Sequence, residues 1–311
     1  MWRYILKRLA MMVFVVLGVS ILIFTIMYFV PGDPARIILG SSATPDQIDY
    51  LHAQMGLDKP FTVQLLTFLR DTFLRFDFGN SYIFKTPVID ELATRFPMTL
   101  KLAVLCIIVQ TVIGIPLGIT AAVHQGRWQD TTAILIAMLG LSVPGFWLAL
   151  MMLSLFHVKL GWLPGFGIGT WKHWVLPVLS NALGGIAINA RQTRSAMLEV
   201  IRSDYITTAR AKGVRERGVI YGHALPNALI PVITTIGGGF ATALGGTIIV
   251  ESVFTMPGIG LYMTNAITNL DYPIVRSSVV LLSIAFSIIM LLTDLVYAFV
   301  DPRIKAQYTG K

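Results

Sequence analysis

Six stretches of this chain are long and apolar enough to be read as membrane-crossing segments, and no other feature narrows its fold so far. They are Leu9–Val30, Thr99–Val123, Thr132–His157, Trp174–Ala190, Ala228–Val250 and Ile274–Val300. A helix rises about 1.5 Å per residue, so about 20 mostly apolar residues are needed to cross a hydrocarbon core about 30 Å thick. Every backbone polar group inside lipid has to be satisfied within the protein, which restricts spanning structures to helices and closed barrels. Runs of this length suit helices. The fourth is the weakest, because Asn181 and Asn189 interrupt it. The expected fold is all-α and polytopic, with six transmembrane helices.

Composition agrees. Charged residues make up 13% of the chain and the mean hydropathy is +0.72, whereas soluble domains carry roughly 25% charged residues. The net charge of +8 does not indicate a nucleic-acid surface, because the bases lie in loops and at helix ends. Cytoplasmic loops of membrane proteins are enriched in Lys and Arg. With the N-terminus inside, the inner segments hold Arg3, Lys7 and Arg8; Arg127; Arg191, Arg194, Arg202, Arg210, Lys212, Arg215 and Arg217; and Arg303, Lys305 and Lys311. The short outer loops hold only Lys159, Lys172 and Arg276. Both termini are therefore expected in the cytoplasm. The basic start and the long apolar run after it read as an uncleaved helix, since a signal peptide has an apolar core of only about 7–15 residues.

Residues 1–30 then form the N-terminus and first transmembrane helix, 31–98 an extracytoplasmic loop, 99–300 a five-helix core with a cytoplasmic loop at 199–227, and 301–311 a cytoplasmic tail. In the first loop, Thr44 and Pro45 have the form of a helix start. Gln47–Met55 continues that helix and Gly56 ends it. Phe61–Phe76 is amphipathic, and Val88–Arg95 suits a third short helix. The loop is either a packed cap or a docking face for an external partner.

Gly114 and Gly118 are spaced by four in the second span, and the fifth contains Gly237, Gly238, Gly239, Gly245 and Gly246. Small residues let helix backbones approach closely in lipid. They serve simple packing, or else a translocation path or gate at which one helix slides or bends against another.

Several chemistries are missing. There is no G-x-x-x-x-G-K-[ST] phosphate loop, no H-E-x-x-H, no paired cysteine and no G-x-S-x-G, so no catalytic or metal site is expected. Ion-coupled carriers usually bury ionisable groups in their spans. Here the clear case is Asp294, close to the inner end of its helix and most simply paired with a base such as Arg8. Glu251 and Asp271 fall at the outer ends of the last two spans and read as interfacial.

The longest polar interruption in the second half is Ser203–Pro231. Ser203 or Asp204 can cap a helix. Tyr205–Lys212 makes about two turns, with Arg210 and Lys212 in the last turn, where cations suit the helix dipole, and Gly213 is a suitable stop. So short a helix does not persist alone in water. It either packs on its own chain or is held by a partner.

These residues resemble the inner-membrane permeases of binding-protein-dependent ABC importers, whose cytoplasmic loop carries E-A-A, three residues, Gly, nine residues and I-x-L-P. Ala209, Gly213, Leu225 and Pro226 match; Thr207, Thr208 and His223 depart from it. The departures look like the dipeptide, oligopeptide and nickel branch, whose loop reads close to D-Y-x-x-T-A-R-A-K-G and H-x-L-x-N-A-x-x-P. Asp204, Tyr205, Thr208, Ala209, Arg210, Ala211, Lys212 and Gly213 fit the first part, and His223, Leu225, Pro226, Asn227 and Pro231 the second. Pro31-Gly32-Asp33-Pro34, Phe78-Gly79 with Ser81, Thr193-Arg194-Ser195-Ala196-Met197, Pro257-Gly258-Ile259-Gly260, Asp271-Tyr272-Pro273 and Asp301-Pro302-Arg303 extend the likeness along the chain.

The resemblance implies the type I importer fold in a bacterial inner membrane. It implies a second homologous permease, two ATPases at the cytoplasmic face that bind ATP and Mg, and an extracytoplasmic solute-binding protein. No cofactor is expected on this chain. The 204–213 segment would be the coupling helix seated in an ATPase groove, with His223–Asn227 on its return arm. The implied solute is a di- or oligopeptide. Nickel complexes, glutathione or another small solute remain open within the branch, and an ion-coupled carrier is the alternative from a different class.

Overall fold

The computed structural model describes residues 2–40 and 42–300. Asp301-Pro302-Arg303, Lys305 and Lys311, assigned above to the tail, lie outside them. Helices account for nearly all the described structure, and an antiparallel bridge joins Asn80 and Pro87. In chain order the helices are α1 (Trp2–Phe29), α2 (Pro34–Leu39), α3 (Pro45–Met55), α4 (Phe61–Leu74), α5 (Val88–Val123), α6 (Trp128–Ser142), α7 (Gly145–Met152), α8 (Lys172–Ile201), α9 (Asp204–Ala211), α10 (Leu225–Val253), α11 (Ile259–Thr268) and α12 (Tyr272–Val300). Two π-helical stretches, Leu153–Lys159 and Gly218–Ala224, follow α7 and precede α10.

Four helical segments among the described residues are long and apolar enough to cross a membrane: Ile5–Phe29, Val88–Val123, Gly218–Val253 and Tyr272–Tyr297. The expected third span is not one straight helix. Trp128–Ser142 and Gly145–Lys159 meet at a bend of 96° and together count as a fifth. The cause is Pro144. The residue before a proline is pushed out of the helical region, and Val143 is extended at ψ 122°. The fourth expected span falls in α8, which has 30 residues, but Lys172, Asn181, Asn189, Arg191 and Arg194 dilute its apolar run; the two asparagines are those the sequence singled out.

The chain divides into two compact units. The core unit is built on Leu100–Met256 and takes in α12 from Ile289. Its centre is α8, which packs against α6, α7 and α10. The expected small-residue seam is present. A Cβ on Gly114 would stand 2.9 Å from the Ile186 carbonyl oxygen, and one on Gly118 2.5 Å from that of Ala190. Only a hydrogen in place of a side chain lets α5 and α8 approach so closely.

The loop unit holds Ile5–Thr99 and Pro257–Ile288. Here α3 begins and ends as the sequence predicts. The Gln47 side chain accepts from the Thr44 N–H at 3.0 Å, and Gly56 closes the helix in the left-handed region at φ +68°. The amphipathic face of α4 packs on α1: Phe24 is 2% exposed, with Phe61 and Phe68 centroids 5.6 and 5.5 Å away. Arg276, counted above as a loop base, lies in the first turn of α12 with its guanidinium over Phe24 and Phe68. Val88–Arg95 is not a separate helix but the first part of the 36-residue α5, which passes through Pro97.

Asp271, at the start of α12, is packed inside the protein. It is 1% exposed and accepts from Ser81 Oγ at 2.5 Å and from the Tyr82 and Ile83 N–H groups at 3.1 and 3.4 Å. It thereby anchors the turn that the Asn80–Pro87 bridge closes. Glu251, near the end of α10, is fully buried as well.

Candidate functional site

The polar segment after α8 folds into α9, a turn and the π-helical stretch that leads into α10. Ser203 occupies the N-cap position with extended backbone (ψ 152°), and its side chain makes no capping hydrogen bond. Its hydroxyl instead donates to the Val200 carbonyl at 2.6 Å. Of the two residues the sequence offered as the cap, Ser203 takes the position, and Asp204 is the first helical residue, where it acts on the helix dipole. The C-terminus follows the sequence reading more closely. Gly213 has φ +78°, its N–H donates to the Arg210 carbonyl at 2.9 Å, and the Val214 N–H donates to the Ala209 carbonyl at 3.3 Å. This pair of bonds is the Schellman closure, which favours glycine at the left-handed position.

Arg210 does more than face a helix dipole. Its Nε and Nη2 donate to the two oxygens of Glu216 at 3.1 and 2.7 Å, fastening the helix end to the turn beyond. The hydrogen bond from Arg210 holds the Glu216 carboxyl below its ordinary pKa, and the same bond raises that of Arg210.

An eight-residue helix persists here because one side of it is buried. Ile206 is fully buried in a cluster with Ile119 of α5, Met197 of α8, Val219 and Ile220 of the π-helical stretch and Val232 of α10. The self-packing alternative therefore holds for that side. Asp204, Tyr205, Thr208, Arg210, Ala211, Lys212 and Gly213 are exposed and Ala209 is half-buried. On the return arm His223, Pro226 and Asn227 are exposed, Leu225 is half-buried, and Asn227 Nδ2 donates to the His223 carbonyl at 2.9 Å. The candidate residues thus form one polar surface mounted on an apolar pin. Ile206 and Glu216 were not singled out in the sequence; an isolated isoleucine and an ordinary surface acid gave no signal.

A second feature of the core unit also went unread. Arg194 Nε and Nη2 reach the two oxygens of Asp130 at 2.5 and 2.8 Å, and the Gly126 N–H donates to the same carboxylate at 3.0 Å. In the sequence Arg194 had served as a marker of sidedness and as part of a family-like motif, with no partner assigned. Asp130 is 4% exposed, so this pair ties the start of α6 to α8 near the root of α9.

The glycines of α10 have separate environments. A Cβ on Gly237 would collide with Thr293, and one on Gly246 would lie 2.7 Å from Asn181 Oδ1. One on Gly239 would meet Gln110 at an ordinary 3.6 Å, while Gly238 and Gly245 face open space. Two of the five therefore allow close packing and three do not need to be glycine for that reason. Among the described residues no group of His, Cys, Asp and Glu could hold a metal ion. The lone cysteine, Cys106, is buried, with its thiol 3.8 Å from the Val178 carbonyl.

Residues 114–306 match the family described as the binding-protein-dependent transport system inner membrane component, and residues 1–103 match its N-terminal companion. The chain belongs to this family. It is a permease subunit of an ABC importer, and ATP hydrolysis falls to separate subunits. Family membership implies work alongside another permease, ATPases and a binding protein.

The permease is 40% identical over 305 residues to the glutathione transport system permease protein GsiC of Salmonella choleraesuis (strain SC-B67), covering 98% of this chain and 99% of that one. It is 39% identical over the same length to GsiC of Escherichia coli (strain K12). Among solved structures, a chain of the inward-facing MetNI methionine ABC transporter aligns with a TM-score of 0.57 at 21% identity, covering 68% of this permease and 97% of that chain. A chain of an amino acid ABC transporter with histidines aligns at 0.53 and 15% identity, covering 69% and 94%. These last two likenesses concern the fold. The ion-coupled carrier considered for the sequence is set aside by the family.

Proposed function

We propose that this permease pairs with a second, homologous permease to form the path by which short peptides, delivered by a solute-binding protein, enter the cell. The supporting observation is the 40% identity, over nearly the whole of both chains, to a permease named for glutathione, itself a tripeptide derivative. That name favours glutathione as a second reading beside unmodified di- and oligopeptides.

In this reading α8 completes a set of six membrane crossings and both termini face the cytoplasm of a bacterial cell. The exposed surface of α9, from Asp204 to Gly213, seats in an ATPase. One ATPase binds each permease, and both ATP and Mg stay on those partners. Closure of the ATPase pair moves α9, and the Ile206 cluster passes that movement to α5, α8 and α10. The support is mechanical: a short helix with a fixed stop, a side-chain clamp at Arg210–Glu216 and a single buried pin.

The test is reconstitution of the permease with its partner permease, two ATPases and binding protein in liposomes. Peptide-loaded binding protein should accelerate ATP hydrolysis, and labelled peptide should accumulate inside. Accumulation of glutathione but not of ordinary di- or tripeptides would establish the second reading. ATP hydrolysis indifferent to loaded binding protein would defeat both.

A further inference from the structure

The loop unit contains two chambers that share one arginine in their walls. The first, about 440 Å³, is walled by Tyr28 of α1, Asp33, His52, Gln64 of α4, and Tyr272 and Arg276 of α12. The second, about 360 Å³, shares Gln64 and Arg276 and adds Asp71, Asp77 and Tyr82. Both sizes fall in the range of small-molecule sites.

Arg276 is half-buried, and no carboxylate among the described residues forms an ion pair with it. Its Nε donates to the Tyr272 carbonyl at 3.2 Å. Its guanidinium carbon stands 5.2 and 5.3 Å from the ring centroids of Phe24 and Phe68. Such rings attract a cation through their faces but offer no oxygen to its N–H groups. The Tyr82 hydroxyl is a further neighbour, and Asp271 attracts the guanidinium from longer range. The Asp271 oxygens are already engaged by Ser81 Oγ and the N–H groups of Tyr82 and Ile83.

The other charges around the chambers are matched. Asp33 is held by His52 and Arg36, and Asp71 by Arg70 and Arg75. Lys59 and Asp77 of the second chamber are exposed and opposite in sign. Arg276 is therefore the base whose charge the chamber walls leave over. With Nε committed to Tyr272, the two Nη groups remain. Tyr82 can meet one of their N–H donors, and the others can grip two oxygens of a carboxylate or phosphate side by side. A half-buried charge is costly until it is paired, and an oxyanion in either chamber would pair it.

We infer that the wall between the chambers is a binding site for a singly charged oxyanion, a carboxylate or a phosphodiester, held by Arg276. One unmatched base calls for one negative charge, and Asp33, Asp71 and Asp77 on the same walls disfavour a second. Two sources carry such a group: a small solute with a free carboxylate, and a phospholipid headgroup beside the ends of α1 and α12. Arg276 links α12 to Phe24 of α1 and Phe68 of α4, so the bound anion braces these three helices. The site is independent of the solute proposed above.

The experiment uses the complete transporter, stripped of lipid, in maltoside micelles at constant ionic strength set with chloride. The arginine reagent phenylglyoxal should modify Arg276, followed by peptide mass spectrometry. Acetate or dimethyl phosphate should slow that modification several-fold and leave the exposed Arg36, Arg70 and Arg75 unaffected. Protection by these soluble anions with nothing added by phosphatidylglycerol assigns the site to a free solute. Protection by phosphatidylglycerol at far lower concentration assigns it to a lipid headgroup. Acetate or dimethyl phosphate should also slow hydrogen exchange in α4 of the wild type, and should fail to do so in Arg276→Lys, which keeps the charge without the fork. Four results would overturn the inference: no modification of Arg276, modification indifferent to every probe, equal protection of the three exposed arginines, or the same slowing of exchange in Arg276→Lys.

Discussion

Gly213 and Glu216 show how much of the α9 surface depends on single residues. At φ +78° an alanine replacing Gly213 would cost about 1 kcal/mol, because a Cβ crowds the carbonyl in the left-handed region. Gly213→Pro fixes φ near −65° and removes the N–H bonded to Arg210, so it should abolish uptake while the protein still inserts in the membrane; peptide uptake and membrane yield check this together. Asp204→Ala, by contrast, should be mild, because Asp204 is not the cap and its dipole contribution is only about 0.5 kcal/mol; retention of the ATPases on purification measures it. Glu216 provides a pH signature. Its native pKa lies below the ordinary 4.5, with its hydrogen bond from Arg210 as the leading cause. The pair therefore stabilises the turn above that ordinary value, and the contribution disappears as pH falls through the lowered one. Glu216→Gln should speed hydrogen exchange at residues 211–214 at pH 7, relative to intrinsic rates, and the difference should shrink as pH falls through the lowered pKa of Glu216. Gly213 was legible in the sequence because a helix stop constrains residue type. Glu216 was not, because its role depends on a turn whose path the sequence does not state.

At the scale of elements, two carboxylates tie segments that are distant in the chain. Asp130→Ala leaves the Arg194 guanidinium without its carboxylate between α6 and α8. Loss of that charge-assisted pair should destabilise the protein by about 2 kcal/mol, read as a lower midpoint of thermal unfolding in detergent. Asp271→Ala removes the acceptor for Ser81 Oγ and two N–H groups of the 80–87 turn. The cost should be about 3 kcal/mol, with new protease cleavage near Tyr82–Lys85. Neither role was visible beforehand, since partners separated by 64 and 190 positions leave no periodic trace. Local patterns did better. The capping residues of α3, the amphipathic face of α4 and the Gly114–Gly118 spacing each state a requirement that neighbouring residues impose. The break in the third span fell between these cases: Pro144 was in plain view, but apolar composition runs through it unchanged and concealed the 96° bend.

For the whole molecule, hydropathy alone told the fold class, because lipid permits few ways to satisfy a backbone. The polar segment around α9 told the family, through residue types set at fixed spacings from Asp204 to Pro231. The roles of the glycines were the least legible. Glycines that pack helices and glycines that leave room look alike in sequence, and only their three-dimensional neighbours separate Gly237 from Gly238. The Gly114–Gly118 seam has a kinematic consequence. Two helices with backbones in contact cannot slide without collision, so α5 and α8 should travel as one rod, with displacement taken up at joints padded by longer side chains. The lower end of that rod is joined to α9 by only Arg202 and Ser203, a tether that reaches about 7 Å at full stretch. Such a short link has almost no slack, so a stroke applied at α9 has to appear at α8 with little loss of amplitude.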